Sequence, residues 1–160
     1  MNKSESIVKF WQDFCAENPA VNPNESYQVW FFGNSQKMAR ELAELVTSGT
    51  KRATASLVEF NEKHPEVAPI DAGFSVVTDF EGVPLCVIQT TEIRHLPFNE
   101  VDAQFAFDEG EGDQTLKDWR DGHQRYFTKE AVEYNLEFNE KSLIACERFK
   151  LLYPKLNNEL

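Results

Sequence analysis

The stretch Phe74-Ser-Val-Val-Thr-Asp-Phe-Glu-Gly-Val-Pro-Leu-Cys-Val-Ile-Gln-Thr-Thr91 decides the fold. Phe74 to Asp79 is rich in β-branched residues, Phe80 to Pro84 has the chemistry of a tight turn, and Leu85 to Thr91 is again β-branched and apolar. Two such runs around a glycine-containing turn predict an antiparallel hairpin. Glu92 to Leu96 extends the second strand as far as Pro97, and Asp71-Ala-Gly73 supplies a turn before the first.

Outward from the hairpin the pattern becomes helical. Ile7, Phe10, Trp11 and Phe14 recur at helical spacing, predicting an amphipathic helix over about 4–17 with Ser4 or Ser6 as cap. Tyr27 to Phe32 reads as a short apolar strand broken by Gly33-Asn34. Ser35 caps a second helix over 36–48, carrying Met38, Leu42, Leu45 and Val46. Leu57, Val58 and Phe60 form a short apolar element. Asn99 can cap a short helix with Val101 and Phe105, and Asp113 a longer one with Leu116, Trp119, His123 and Tyr126 or Phe127, reaching about 135. Ser142 to Tyr153 is a closing strand ended by Pro154. Helices that precede and interrupt a modest antiparallel sheet define an α+β class. With no repeat and no linker, residues 1–160 read as a single domain with the N-terminal helix packed on it.

Composition narrows the partners. A net charge of -11 argues against broad DNA or RNA binding, which needs basic surface for counterion release, and leaves a small ligand or a local basic pocket. Cys15, Cys86 and Cys146 are odd in number and widely spaced, so they read as reduced thiols of a cytoplasmic protein. No apolar run approaches the roughly 18 residues of a membrane span, and no signal pattern opens the chain.

Gly49-Thr50-Lys51-Arg52-Ala53-Thr54-Ala55-Ser56 is the local exception in this acidic chain, with two cations and three hydroxyls. Gly49 stands where a helix C-cap needs positive φ. Lys51 and Thr54 share a face if one more helical turn follows, and point to opposite faces if the segment is extended. The bland alternative is a solvated basic loop.

These elements, taken in order, resemble a known family. A glycine-ended helix, Gly-x-Lys-x-x-Thr at 49–54, the strands Ser75 to Asp79 and Cys86 to Thr91, Phe105-Ala-x-x-Glu-Gly-Glu-Gly-Asp113, Trp119-Arg-x-x-His123 and Cys146-Glu-Arg-Phe149 are similar to the ASCH domain proteins. The match is nearest to their longer bacterial branch and covers roughly residues 29–154. The resemblance implies a PUA-like fold, a small, mostly antiparallel β-barrel flanked by helices and often tied to RNA. It also implies a reaction, because the family includes small amidohydrolases that deacylate N(4)-acetylcytidine with a lysine, a threonine three residues on, and a downstream glutamate. Carried over, these fall on Lys51, Thr54 and Glu109, with Glu111 as reserve acid beside an extra Gly-Glu-Gly-Asp. The longer branch also includes ribonucleases.

A neutral hydroxyl attacks an amide poorly, so Thr54 needs a base. Lys51 could serve if burial or the adjacent Arg52 lowers its pKa, with Glu109 orienting it or protonating the leaving nitrogen. Substrate-binding candidates are Arg52, Ser56, Glu111, Trp119, Arg120, His123 and Tyr126, the aromatic members by stacking on a base. Ser56 and Thr90 are ordinary strand hydroxyls unless they face the pocket. An EF-hand counted from Glu109 fails, with Gln114 and Arg120 at its sixth and twelfth positions. The amidohydrolase reading needs no cofactor and no metal, whereas a ribonuclease would call for Mg²⁺ or Mn²⁺. Three classes therefore stand: an amidohydrolase of a modified nucleoside, an RNA-binding module holding one nucleotide, and a metal-dependent ribonuclease. The partner is a small nucleoside or an RNA nucleotide, with a homodimer allowed for but no apolar dimer face singled out.

Overall fold

The computed structural model describes residues 4–156. The ends of the expected domain, 1–3 and 157–160, lie outside the described residues. In chain order the elements are α1 (Glu5–Glu17), β1 (Tyr27–Phe31), α2 (Gln36–Thr47), β2 (Ala53–Leu57), α3 (Val58–Lys63), β3 (Phe74–Thr78), β4 (Pro84–Pro97), a 3-10 turn (Phe98–Glu100), α4 (Ala103–Glu109), α5 (Leu116–Glu133) and β5 (Leu143–Tyr153). The strands form one five-stranded sheet in the order β1-β3-β4-β5-β2, curled into a half-barrel whose edges are β1 and β2. The class is α+β, as expected, and the β3/β4 hairpin is antiparallel.

Local signals placed the first helices well. Ser4 and Ser35 cap α1 and α2 by accepting from the amides of Ile7 and Met38. Three expectations differ. β1 pairs with β3 in parallel, a long-range match that no turn chemistry announces. Val58 to Lys63 is the helix α3 rather than a continued apolar element. The caps of α4 and α5 are Asp102 and Thr115. Asp113 instead holds the capping threonine, accepting from Thr115 N at 2.9 Å and Thr115 Oγ1 at 2.6 Å.

Three apolar clusters fasten the helices to the sheet, and each contains one of the three free cysteines. α1 contributes Ile7, Trp11, Phe14 and Cys15 against Val76 and Val87. Phe32 and Val46 cover Val77, Cys86, Ile88 and Phe149. α4 and α5 bring Phe105, Trp119 and Phe127 onto Ala53, Leu57, Ile144 and Cys146. Strand alternation thus sends Ile144, Cys146 and Arg148 of β5 toward α4 and α5, and Ala145, Glu147 and Phe149 to the opposite face. Among the described residues no helix is long and apolar enough to cross a membrane.

Candidate active site

Gly49 adopts φ +87° and turns the chain sharply, so that the amides of Thr50 and Lys51 both donate to Leu45 O at 2.9 Å. Strand β2 then starts at Ala53. Lys51 is left at the junction, and its side chain is folded inward to 1% exposure. Its Nζ donates to Ala53 O at 2.8 Å, to Glu109 Oε2 at 2.8 Å and to Glu111 Oε2 at 2.6 Å, with Glu109 O at 3.3 Å and the Phe32 ring centre 5.3 Å away.

The two carboxylates reach Lys51 because α4 ends between them. Gly110 takes φ +72°, and a Cβ there would lie 2.5 Å from Thr50 O, so only glycine lets the chain cross this closely over residues 50–51. Asp108 fastens the same crossing. Its carbonyl accepts from Arg52 N at 2.7 Å, and its carboxylate accepts from Arg52 Nη2 at 3.0 Å and Arg148 Nε at 3.1 Å.

Helix α5 closes the site from the other side. Trp119 Nε1 donates to Glu109 Oε1 at 3.0 Å, and His123 Nε2 lies 3.2 Å from the same oxygen. His123 Nδ1 meets Trp119 O at 2.9 Å, and the two rings stack at 4.2 Å, one helical turn apart. Both imidazole nitrogens therefore face acceptors, which suits the doubly protonated ring. Burial opposes that charge, but Glu109 raises the His123 pKa above its ordinary value.

The two glutamates titrate in opposite senses. Burial disfavours a charged Glu109, yet Lys51 and His123 hold it well below the carboxylate range. Glu111 keeps 30% side-chain exposure. Burial and the neighbouring charge of Glu109 push it up to about 7, against the pull of Lys51. Burial works against the Lys51 ammonium as well, but the two carboxylates raise its pKa. The expectation of a lysine made basic by a lowered pKa is thereby corrected: Arg52 spends its charge on Asp108, and Lys51 stays an ammonium.

Of the expected site residues, Lys51, Glu109, Glu111, Trp119 and His123 come together. Thr54 lies on β2 directly opposite Glu147 of β5, so the two side chains share the face away from α4 and α5. Lys51 Nζ makes no hydrogen bond to Thr54; its three protons already serve Ala53, Glu109 and Glu111. Ser56, on the same face, accepts from Asn61 Nδ2 at 2.8 Å. Arg52 is half-exposed in its pairing with Asp108. Tyr126 packs beside Phe127 on the cluster under α5. Arg120, next to Trp119 but about 100° around the helix, points elsewhere. It donates to the carbonyls of Asn99 and Val101 and lines an outer cleft of about 470 Å³ with Phe98, Gln124 and Arg125.

Sequence reasoning gave no role to Glu147, and it weighed Asp108 only as a member of the acidic loop with Glu109, Glu111 and Asp113. The signal for Glu147 was present: in Leu143 to Tyr153 it occupies an inward position between Ala145 and Phe149, where an acid is unusual.

The ASCH domain model matches residues 28–153. This chain belongs to the ASCH domain family. It is similar to the ASCH domain of Lactobacillus crispatus, with 29% identity, a TM-score of 0.84 and coverage of 96% of this chain and 98% of that one. It is also similar to a protein of Enterococcus faecalis, with 32% identity, a TM-score of 0.81 and coverage of 92% of this chain and 88% of that one. No curated protein matches the chain. ASCH domains have RNA-binding or hydrolase roles. Glu109, Glu111 and His123 of this ASCH domain offer three ligand atoms within 4.8 Å of one another, a donor set that would suit Mn²⁺. The Lys51 ammonium bridges the two carboxylates, however, and a divalent ion bound by both would have to displace it.

Proposed function

We propose that this ASCH domain is an amidohydrolase of a small acylated nucleoside of the N(4)-acetylcytidine type. What supports the reading is the unequal pair of glutamates on Lys51: Glu109 enclosed by Lys51, Trp119 and His123, and Glu111 at the solvent edge with 30% of its side chain exposed and its pKa pushed up to about 7 by burial and by Glu109. Lys51, whose three protons are taken by Ala53, Glu109 and Glu111, acts through its buried positive charge, which favours the negative charge that develops on the acyl oxygen. Glu111, rather than Lys51, takes the proton of the Thr54 hydroxyl through an intervening water as Oγ1 attacks the acyl carbon, since no direct bond joins the two side chains. The C–N bond breaks as Glu111 returns that proton to the exocyclic nitrogen, releasing the nucleoside. Water then hydrolyses the threonyl ester, with Glu111 again as base. Glu109 holds Lys51 and His123 in place and is a positioning residue.

The reading is tested by acetate release from N(4)-acetylcytidine by the wild type and by Lys51→Ala, Thr54→Ala and Glu111→Gln. Loss in all three supports it, and full activity in either of the first two sinks it. A metal-dependent ribonuclease is the second reading, favoured by the Glu109, Glu111 and His123 donor set. Labelled RNA cleaved only without EDTA would select it, and nucleoside retained without turnover would indicate a binding module.

A further inference from the structure

Across the sheet face away from α4 and α5, four neighbouring strands each contribute a polar side chain: Ser75 of β3, Thr90 of β4, Glu147 of β5 and Thr54 of β2. The face is otherwise apolar toward α2, where Phe32, Val77, Ile88 and Phe149 lie. Glu147 is 6% exposed, in an environment where an unpaired acid is costly. It has a single side-chain bond, from Thr90 Oγ1 to Oε2 at 2.5 Å. Oε1 has no hydrogen-bond partner among the described residues. Among the described residues Arg120 Nε, on α5, is the one fully buried side-chain N or O without a partner, so Oε1 keeps a trace of solvent contact. Thr54 stands directly across the ladder, about 5 Å away at the Cβ atoms, so one small ligand can touch both.

We propose that Glu147, steadied by Thr90, recognises the base of the substrate, reading the N3 and N4–H edge of a 4-aminopyrimidine. The neutral carboxyl supplies both complements: Oε1–H donates to N3, and Oε2, whose second lone pair is free, accepts from N4–H. Burial favours that neutral form, and the Thr90 bond and the Lys51 charge only partly offset it. The Lys51 charge acts on Glu147, so the base-reading group lies within electrostatic reach of that ammonium. A uracil edge presents N3–H and O4 instead, and matching it would need the carboxyl proton on Oε2, the oxygen that Thr90 already engages as an acceptor.

This inference rests on the proposed nucleoside substrate, but it is tested by binding rather than turnover. Cytidine and uridine are titrated against the wild type, Glu147→Gln and Glu147→Leu by calorimetry, with thermal unfolding as a check on each variant. The expected result is cytidine binding over uridine in the wild type. Glu147→Leu weakens cytidine about tenfold or more, in line with losing a paired contact to a base edge. Glu147→Gln, which keeps one donor and one acceptor, stays within about threefold. Cytidine affinity unchanged in Glu147→Leu, or equal for cytidine and uridine in the wild type, overturns the proposal. Glu147-dependent cytidine binding without acetate release would refute the hydrolase and leave this assignment standing. Acetate release with a KM indifferent to Glu147→Leu would do the reverse.

Discussion

Strand β5 presents two neighbourhoods that differ in how much hydrogen-bonding capacity they keep in reserve. Toward α4 and α5, polar groups are used up: Lys51 serves three acceptors, Glu109 takes Lys51, Trp119 and His123, and Asp108 takes two arginines. On the other face Thr54 Oγ1 and Glu147 Oε1 have no partner among the described residues, and Ser56 is bound only by Asn61. The saturated side resembles a fixture, since a satisfied buried network holds one geometry. The unsaturated side resembles a receiving surface, because a ligand can bond only with groups the protein has left open.

Removing the same kind of group from each side should therefore have unequal consequences. Glu109→Ala leaves a buried ammonium and a buried imidazolium short of a counter-charge, and should cost about 3–5 kcal/mol by denaturant unfolding. Thr54→Val should stay within about 1 kcal/mol in the same measurement. Equal losses would break the distinction. In acetate release from N(4)-acetylcytidine the roles reverse for Thr54→Val, whose turnover should drop about a hundredfold or more while the fold persists.

Gly110→Ala probes the hinge of the saturated side. Positive φ and a 2.5 Å approach to Thr50 O make it cost roughly 2 kcal/mol in thermal unfolding. Turnover should fall as well, because Glu111 follows Gly110 directly.

The pH profile sharpens the comparison between the two glutamates. With Glu111 as base, wild-type turnover should rise about tenfold per unit below about 7 and level off above it. Glu111→Gln should lack that limb. Stability runs the other way for this group: its folded pKa lies above the ordinary 4.5, so the folded state binds the extra proton between about 4.5 and 7. Its contribution is present in acid and is lost as pH rises through that window. Glu109, depressed, contributes stability above its ordinary pKa that is lost as pH falls through the folded value. Thermal unfolding of the wild type and Glu111→Gln from pH 4 to 8 separates the two. The smallest effect is expected at Arg120, which faces the outer cleft; Arg120→Lys should change turnover by less than about twofold.

How far the sequence could be read follows the range of each interaction. The caps at Ser4 and Ser35, the turn at Gly49 and the β3/β4 hairpin depend on neighbours a few residues away, and their chemistry is written locally. The parallel pairing of β1 with β3 spans more than forty residues and leaves no local mark. The same holds within the site. Lys51 and Glu109 were linked through resemblance to the ASCH family, since nothing in either segment states that Gly110 passes over Thr50. The lysine's charge state was misjudged because Arg52 is its neighbour in sequence, while Glu109 and Glu111 are its neighbours in space. Glu147 was visible as an acid on an inward-facing register, but its meaning depended on knowing that Thr54 lies across from it.

The distribution of the cysteines has a practical use. Burial raises the thiol pKa of Cys15 and pushes Cys86 and Cys146 up to about 12, so none is a ready nucleophile in the folded chain. Each sits in a different apolar cluster. Three single-cysteine versions of the protein would therefore serve as clocks, their rates of thiol labelling timing the opening of the α1 side, the α2 side and the α4–α5 side separately. Such clocks would register whether a bound nucleoside slows one region alone or the whole sheet together.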